Sequence, residues 1–237
     1  MNCKFCNQNR QLIKAHIIPK SFFRELSGNK GPSLLVEDTP GTFPKRLPIG
    51  PYDKKLVCCE CEQQFGDWDD YAQQFMLKEN GFKELKKENA VIGYIVDKFD
   101  YENLKLFFIS LLWRASATQL EFFNNVALGP YEKIAHDHIL SKNPGDEEHF
   151  SVVISKFSDP IGKIILEPVP ATWFQVKYYR FFLTGYMVAI KVDKRKSPGY
   201  LGRLQINRNQ PLIIPVKERP SDIELDLILN AAKKIGK

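Results

Sequence analysis

Four of the five cysteines stand in two pairs, Cys3-Lys4-Phe5-Cys6 and Cys58-Cys59-Glu60-Cys61, and His16 is the only histidine between them. A pair of thiolates with two intervening residues chelates from a single turn, and two such pairs complete a tetrahedral zinc site. The 51 residues between the pairs cost little loop-closure entropy, which grows only logarithmically with length. That gap is wide for a compact zinc ribbon, so the pairs are expected to clamp an inserted functional segment. Three residues within or beside the insert have side chains suited to chemistry. His16 sits in the apolar run Ala15-His16-Ile17-Ile18-Pro19, Asp53 lies five residues before Cys58, and Glu62 follows Cys61 directly. An imidazole can take a proton from water near neutral pH. A carboxylate is a hard oxygen donor suited to magnesium or manganese. Each also has a structural reading: His16 as a zinc ligand or a hairpin core residue, Asp53 as part of an ordinary turn, and Glu62 as a helix N-terminal carboxylate that suits the dipole. Cys59 is expected to be a small buried thiol beside the zinc.

This layout resembles the HNH endonucleases, the ββα-metal or His-Me finger nucleases, in their zinc-clamped form, over roughly the first 70 residues. Ala15-His16-Ile17-Ile18-Pro19 matches the family's "Asp-His-Ile-Ile-Pro" type sequence from the histidine onward, Asp53 stands in the place of its middle asparagine, and Glu62 stands in the place of its last motif residue. The resemblance implies a zinc-stapled ββα-metal module with structural zinc on Cys3, Cys6, Cys58 and Cys61. It implies His16 as general base, Asp53 as the group that orients it, and a catalytic magnesium or manganese ion held by Glu62. The expected activity is hydrolysis of phosphodiester bonds in DNA, with RNA as a further possible substrate. The alternative is a non-catalytic zinc-stapled nucleic-acid-binding module. Ala15 replaces an acidic metal ligand found in many members, and Asp67, Asp69 and Asp70 are candidates to supply a substitute. A zinc hydrolase needs an open zinc position, which four cysteines do not leave.

The elements that must position these residues follow from periodicity and punctuation. Residues 12–18 read as a strand stopped by Pro19, and the Pro/Gly-rich stretch 27–51 as a long loop or loose hairpin. Helical character is expected to begin at about Glu62, with helices over 67–87, 101–123 and 131–140. Leu104, Phe107, Phe108, Leu111, Leu112 and Ala115 form a broad apolar stripe that marks a core helix. Beyond Asn143-Pro144-Gly145, strand material is expected over 151–157, 163–169, 172–177, 179–192 and 203–216, with a last helix over 221–235 capped by Ser221. The run from Lys177 to Phe182 interleaves basic and aromatic residues, a pattern of single-strand binders that also suits a strand core. The expected fold class is α+β: a zinc-stapled ββα module over residues 1–80, then an α+β domain over 81–237 of helices and an antiparallel sheet. Loss of zinc is expected to leave the second domain largely folded.

Composition narrows the class. The chain has 237 residues, 43% hydrophobic and 26% charged, ordinary for a globular protein. No basic leader with an apolar core opens it, and its longest apolar stretch, 106–113, is far too short for a membrane span. Five cysteines, four in metal spacing, fit reduced thiols and a cytoplasmic location. The net charge of +6 is uneven: +1 over residues 1–70, −3 over 71–150 and +8 over 151–237. The last third is therefore the expected nucleic-acid surface, with Lys194, Arg195, Lys196, Arg203 and Arg208 as candidate phosphate contacts. A solvated basic face is the plain alternative. His136, His138 and His149 are expected at the surface.

Overall fold

The computed structural model describes residues 1–27, 34–35, 45–46, 50–158 and 165–217. The helix expected over 221–235 and most of the 27–51 stretch lie outside the described residues. In chain order the elements are β1 (Ala15–His16), α1 (Lys20–Ser27), β2 (Leu34–Leu35), β3 (Lys45–Arg46), β4 (Tyr52–Asp53), α2 (Cys59–Lys78), β5 (Phe82–Lys87), β6 (Ala90–Val96), α3 (Tyr101–Ala117), α4 (Tyr131–Leu140), β7 (Val152–Phe157), β8 (Ile165–Trp173), β9 (Val176–Leu183), β10 (Tyr186–Lys191), α5 (Gly199–Leu204) and β11 (Leu212–Lys217). The architecture is mixed α+β. Its main sheet has seven strands in the order β5-β6-β11-β7-β10-β9-β8, and β1 pairs with β4 in a separate two-stranded sheet. The main sheet is mixed and not antiparallel throughout, because β11 runs parallel to β7. Among the described residues no helix is long and apolar enough to cross a membrane.

The helix expected over 67–87 stops at Lys78. Glu79 takes a left-handed backbone, and Asn80-Gly81 turns the chain into β5. The β-branched strand β6 recruits residues 82–87 as its partner, a tertiary demand that overrides their helical period. β5 is an edge strand, and its exposed Lys83, Glu84, Lys86 and Lys87 discourage pairing with another chain. The acidic residues Glu60 and Glu62 lie in the first turn of α2 and Lys78 in its last, in line with the helix dipole. At its C-terminus, Lys156 holds both carboxylate oxygens of Glu79 at 2.6 Å, tying α2 to the sheet.

α3 is buried over almost its whole circumference, as a central helix must be. Its core does not break at residue 80: one cluster of buried side chains runs from Cys3 through Phe65, Phe107 and Trp113 to Ile214. Residues 177–182 belong to β9, where Tyr178, Tyr179, Arg180, Phe181 and Phe182 are buried, so that run is strand core.

Lys105 is a buried cation within α3. Its ammonium reaches the Tyr101 hydroxyl and the Asp146 carbonyl. Burial lowers its pKa to about 7, against the opposing pull of Glu147 and Asp146. Between that value and the free amine's ~10.4 the unfolded chain binds the extra proton, so stability rises with pH at up to ~1.4 kcal/mol per unit. Lys105→Met is expected to flatten that rise in denaturant titrations between about pH 7 and 10. Equal slopes for both proteins would contradict a shifted lysine.

Candidate metal centre and adjoining strand–strand–helix site

The Cys3 knuckle is closed by backbone bonds from the Cys3 amide to the Gln8 carbonyl and from the Asn7 amide to the Cys3 carbonyl. Asn7 adopts φ 56°, a left-handed conformation that asparagine tolerates better than most residues. The second knuckle is the N-terminus of α2: Cys58 is its N-cap residue and Cys61 lies in its first turn. Backbone bonds from Lys4 to Leu56 and from Ile13 to Val57 bring the two segments together. The sulfurs of Cys3, Cys6, Cys58 and Cys61 all lie within 4.8 Å of one another. Cys6–Cys58 and Cys58–Cys61 stand at 3.9 and 3.5 Å, close to the ~3.8 Å expected between ligands of a tetrahedral zinc with bonds of about 2.3 Å. This donor set is compatible with structural zinc.

The electrostatics agree with a cation there. Burial acts to raise the Cys3 thiol, but the amides of Cys6, Cys58 and Phe5 outweigh it and bring it to about 7. Burial pushes the Cys61 thiol up, and the three neighbouring sulfurs push the same way. Four thiols this close cannot all ionise without a compensating positive charge. Cys59 is exposed and does not sit buried beside the cluster: at the start of α2 its side chain points outward, toward the Gln63 amide at 3.8 Å.

Phe5, between the first two cysteines, anchors the knuckle. Its ring packs on Phe65 (5.7 Å), Trp113 (5.2 Å) and His136 (4.6 Å). His136 is therefore half-buried and bonded through Nε2 to the Phe5 carbonyl at 2.7 Å, a structural role and not a free surface one. His138 likewise bonds the Asn143 carbonyl through Nδ1 at 2.8 Å.

Inside the clamp, β1 and β4 run antiparallel, with Ala15 opposite Asp53 and His16 opposite Tyr52. Directly opposed residues share a face and successive residues alternate, so His16 and Tyr52 lie on one face and Asp53 on the other. The rings of His16 and Tyr52 stand 6.1 Å apart. Both carboxylate oxygens of Asp53 are engaged on their own face, by the Lys55 amide and the Thr118 hydroxyl, each at 2.7 Å. Its carboxylate thus ties β4 to the end of α3 and turns away from the imidazole.

The backbone of His16 is held at both ends. Its N–H donates to the Glu62 carboxylate of α2. Its carbonyl accepts from Arg114 of α3 at 3.0 Å. Glu62 Oε2 is buried and has no hydrogen-bond partner. Burial pushes the Glu62 carboxyl up, with Arg114 opposing and Asp69 reinforcing. Asp69 is committed elsewhere: Arg114 grips both of its oxygens, at 2.9 and 2.7 Å. Neither it nor Ala15 offers a second free ligand beside Glu62.

Arg114 and Asp69 are the residues that sequence reasoning missed as a pair. The signal was an arginine inside the apolar stripe of α3, where a charge survives only if paired. Arg114 is fully buried and also lies over the Phe65 ring at 5.0 Å. Arg114→Met is expected to cost ~3–5 kcal/mol, because it strands the Asp69 charge. Adding Asp69→Leu should restore most of the loss in urea melts, and failure of that rescue would mean that Arg114 acts mainly through His16.

Of the five basic candidates, Arg195 is bound to Asp193 through two nitrogens (2.8 and 2.6 Å), and Arg208 pairs with Glu102 at 2.7 Å. Lys194, Lys196 and Arg203 are at least partly open to solvent.

The chain matches no protein-family model, no curated protein and no solved structure.

Proposed function

We propose that this protein is a metal-dependent endonuclease of the HNH type, with structural zinc on Cys3, Cys6, Cys58 and Cys61. The observation that carries the reading is the apposition, within a four-cysteine clamp, of a strand-borne histidine and a buried helix carboxylate with one oxygen left unbonded. His16 takes the proton of the attacking water. Glu62 holds the strand that bears His16 and keeps Oε2 for a divalent ion. Magnesium is commonly bound by one or two carboxylates plus water and substrate phosphate, so a single free carboxylate suits it. When bound, such an ion neutralises phosphate charge and stabilises the leaving oxygen. Asp53 acts on His16 through the β4 backbone, since its carboxylate is engaged on the opposite face. The substrate is DNA, drawn in part by the basic last third of the chain.

Glu62→Ala tests the role of that carboxylate. Nicking of supercoiled plasmid should need more magnesium and recover partly at high concentrations. A magnesium dependence identical to wild type would remove Glu62 from the reading. The second reading, a zinc-stapled binding module without turnover, draws on Ala15 and on the engagement of Asp69 by Arg114, which leave the metal site with few protein ligands.

A further inference from the structure

The turn between β8 and β9 contains two residues, Phe174 and Gln175, between the paired Trp173 and Val176. Both have positive φ, 51° and 66°, the backbone of a tight hairpin turn that normally selects Asn-Gly. A side chain with a Cβ adopts that backbone at a cost. Phe174 regains nothing by burial, since it remains 66% exposed. Its ring meets a second exposed ring, Tyr200 of α5, at 6.1 Å and 79°. Tyr200 is 56% exposed, because α5 seats Leu201 and Leu204 on the sheet instead. Arg203 lies three residues on, on the same side of that helix. Lys194 and Lys196 stand in the preceding segment and are open to solvent. Of the nearby acids, Asp193 is bound by Arg195, and Glu148 by Lys191 and the Ser197 amide.

A strained turn that holds a large ring in water is the kind of outlier that points to function. Two exposed rings in edge-to-face contact, with three exposed cations on and just before the helix that bears one of them, complement a ligand with flat π-faces and a polyanionic backbone. We propose that Phe174 and Tyr200 form a stacking platform for unpaired nucleobases, with Lys194, Lys196 and Arg203 contacting the phosphates of a single strand. In a duplex the bases are already stacked on one another and offer the rings no face, so the preference is for single-stranded over duplex nucleic acid. This goes beyond the cleavage reading and does not rest on it, since binding requires neither His16 nor a divalent ion.

The test measures fluorescence anisotropy on the full chain without magnesium. The probes are oligo-dT and oligo-rU of about 16 nucleotides, within the range of single-strand site sizes, and a duplex of equal length. Phe174→Gly and Tyr200→Ala should each weaken single-strand binding by about 5- to 100-fold, the range for loss of one base–aromatic stack. Duplex binding should not change. Phe174→Gly should at the same time raise the thermal midpoint, because glycine carries no penalty at that φ. A residue with only a structural role would not combine gained stability with lost affinity. Replacing Lys194, Lys196 and Arg203 by glutamine should reduce the slope of log affinity against log salt by about 0.7 for each phosphate that a cation no longer neutralises. Unchanged single-strand affinity in both aromatic variants would overturn the proposal. So would an equal loss on duplex, or aromatic-dependent binding confined to phosphatidylserine vesicles. Equal affinity for dT and rU supports stacking without sugar readout.

Discussion

Cys58→Ser is expected to leave no cooperatively folded protein, in the second half of the chain as well as the first. Structural zinc bound by thiolates contributes ~10–16 kcal/mol in peptides at neutral pH. That is as large as the whole stability of a typical domain, ~5–15 kcal/mol. The boundary expected at residue 80 would spare residues 81–237, but among the described residues one cluster of buried side chains crosses it. Phe5, held between two of the ligands, is packed against Phe65 of α2, Trp113 of α3 and His136 of α4. Lys4 donates to the Ala117 carbonyl at the end of α3. Without metal, four thiols that cannot all ionise together must separate or stay largely protonated, and the knuckle that seats Phe5 opens. The check is a thermal melt by circular dichroism with metal analysis on the same sample. Wild type should contain a single zinc and melt once, and Cys58→Ser should contain none and show no sharp transition. A zinc-free chain with an unchanged melt would refute this.

His16→Ala is expected to have the largest effect on activity alone. Loss of a positioned general base costs ~10²–10⁴ in rate. The substitution removes the imidazole and leaves the two backbone contacts that hold β1, to Glu62 and Arg114, in place. Zinc content, melting temperature and DNA affinity should therefore stay close to wild type. A variant that cleaves at the wild-type rate would remove His16 from catalysis.

The parts legible in the sequence were those written in local spacing. The two cysteine pairs announced the four-cysteine cluster, the stripe from Leu104 to Ala115 announced α3, and 131–140 matches α4 residue for residue. The parts that were not legible depend on distant partners. Residues 82–87 have a helical period and become β5 only because β6 needs a neighbour. The first strand shrank to Ala15–His16, since the residues before it bond to the second knuckle. α1, just after Pro19, has too few apolar residues in one stripe to stand out among the Gly and Pro signals. In the candidate site, the His16 backbone N–H meets the Glu62 carboxylate. The face that Asp53 presents follows from a strand register, and the Arg114–Asp69 pair spans 45 residues. Neither can be read from neighbours in sequence.

Nicking of supercoiled plasmid decides whether His16 drives hydrolysis of DNA. Zinc-loaded wild type and His16→Ala are compared with magnesium added or omitted, and zinc content and melting temperature are measured on the same preparations. Wild type should nick only when magnesium is present, and the variant should lose ~10²–10⁴ in rate at equal zinc content. Equal rates in the two proteins, or no nicking by a fully zinc-loaded and folded wild type, would contradict it.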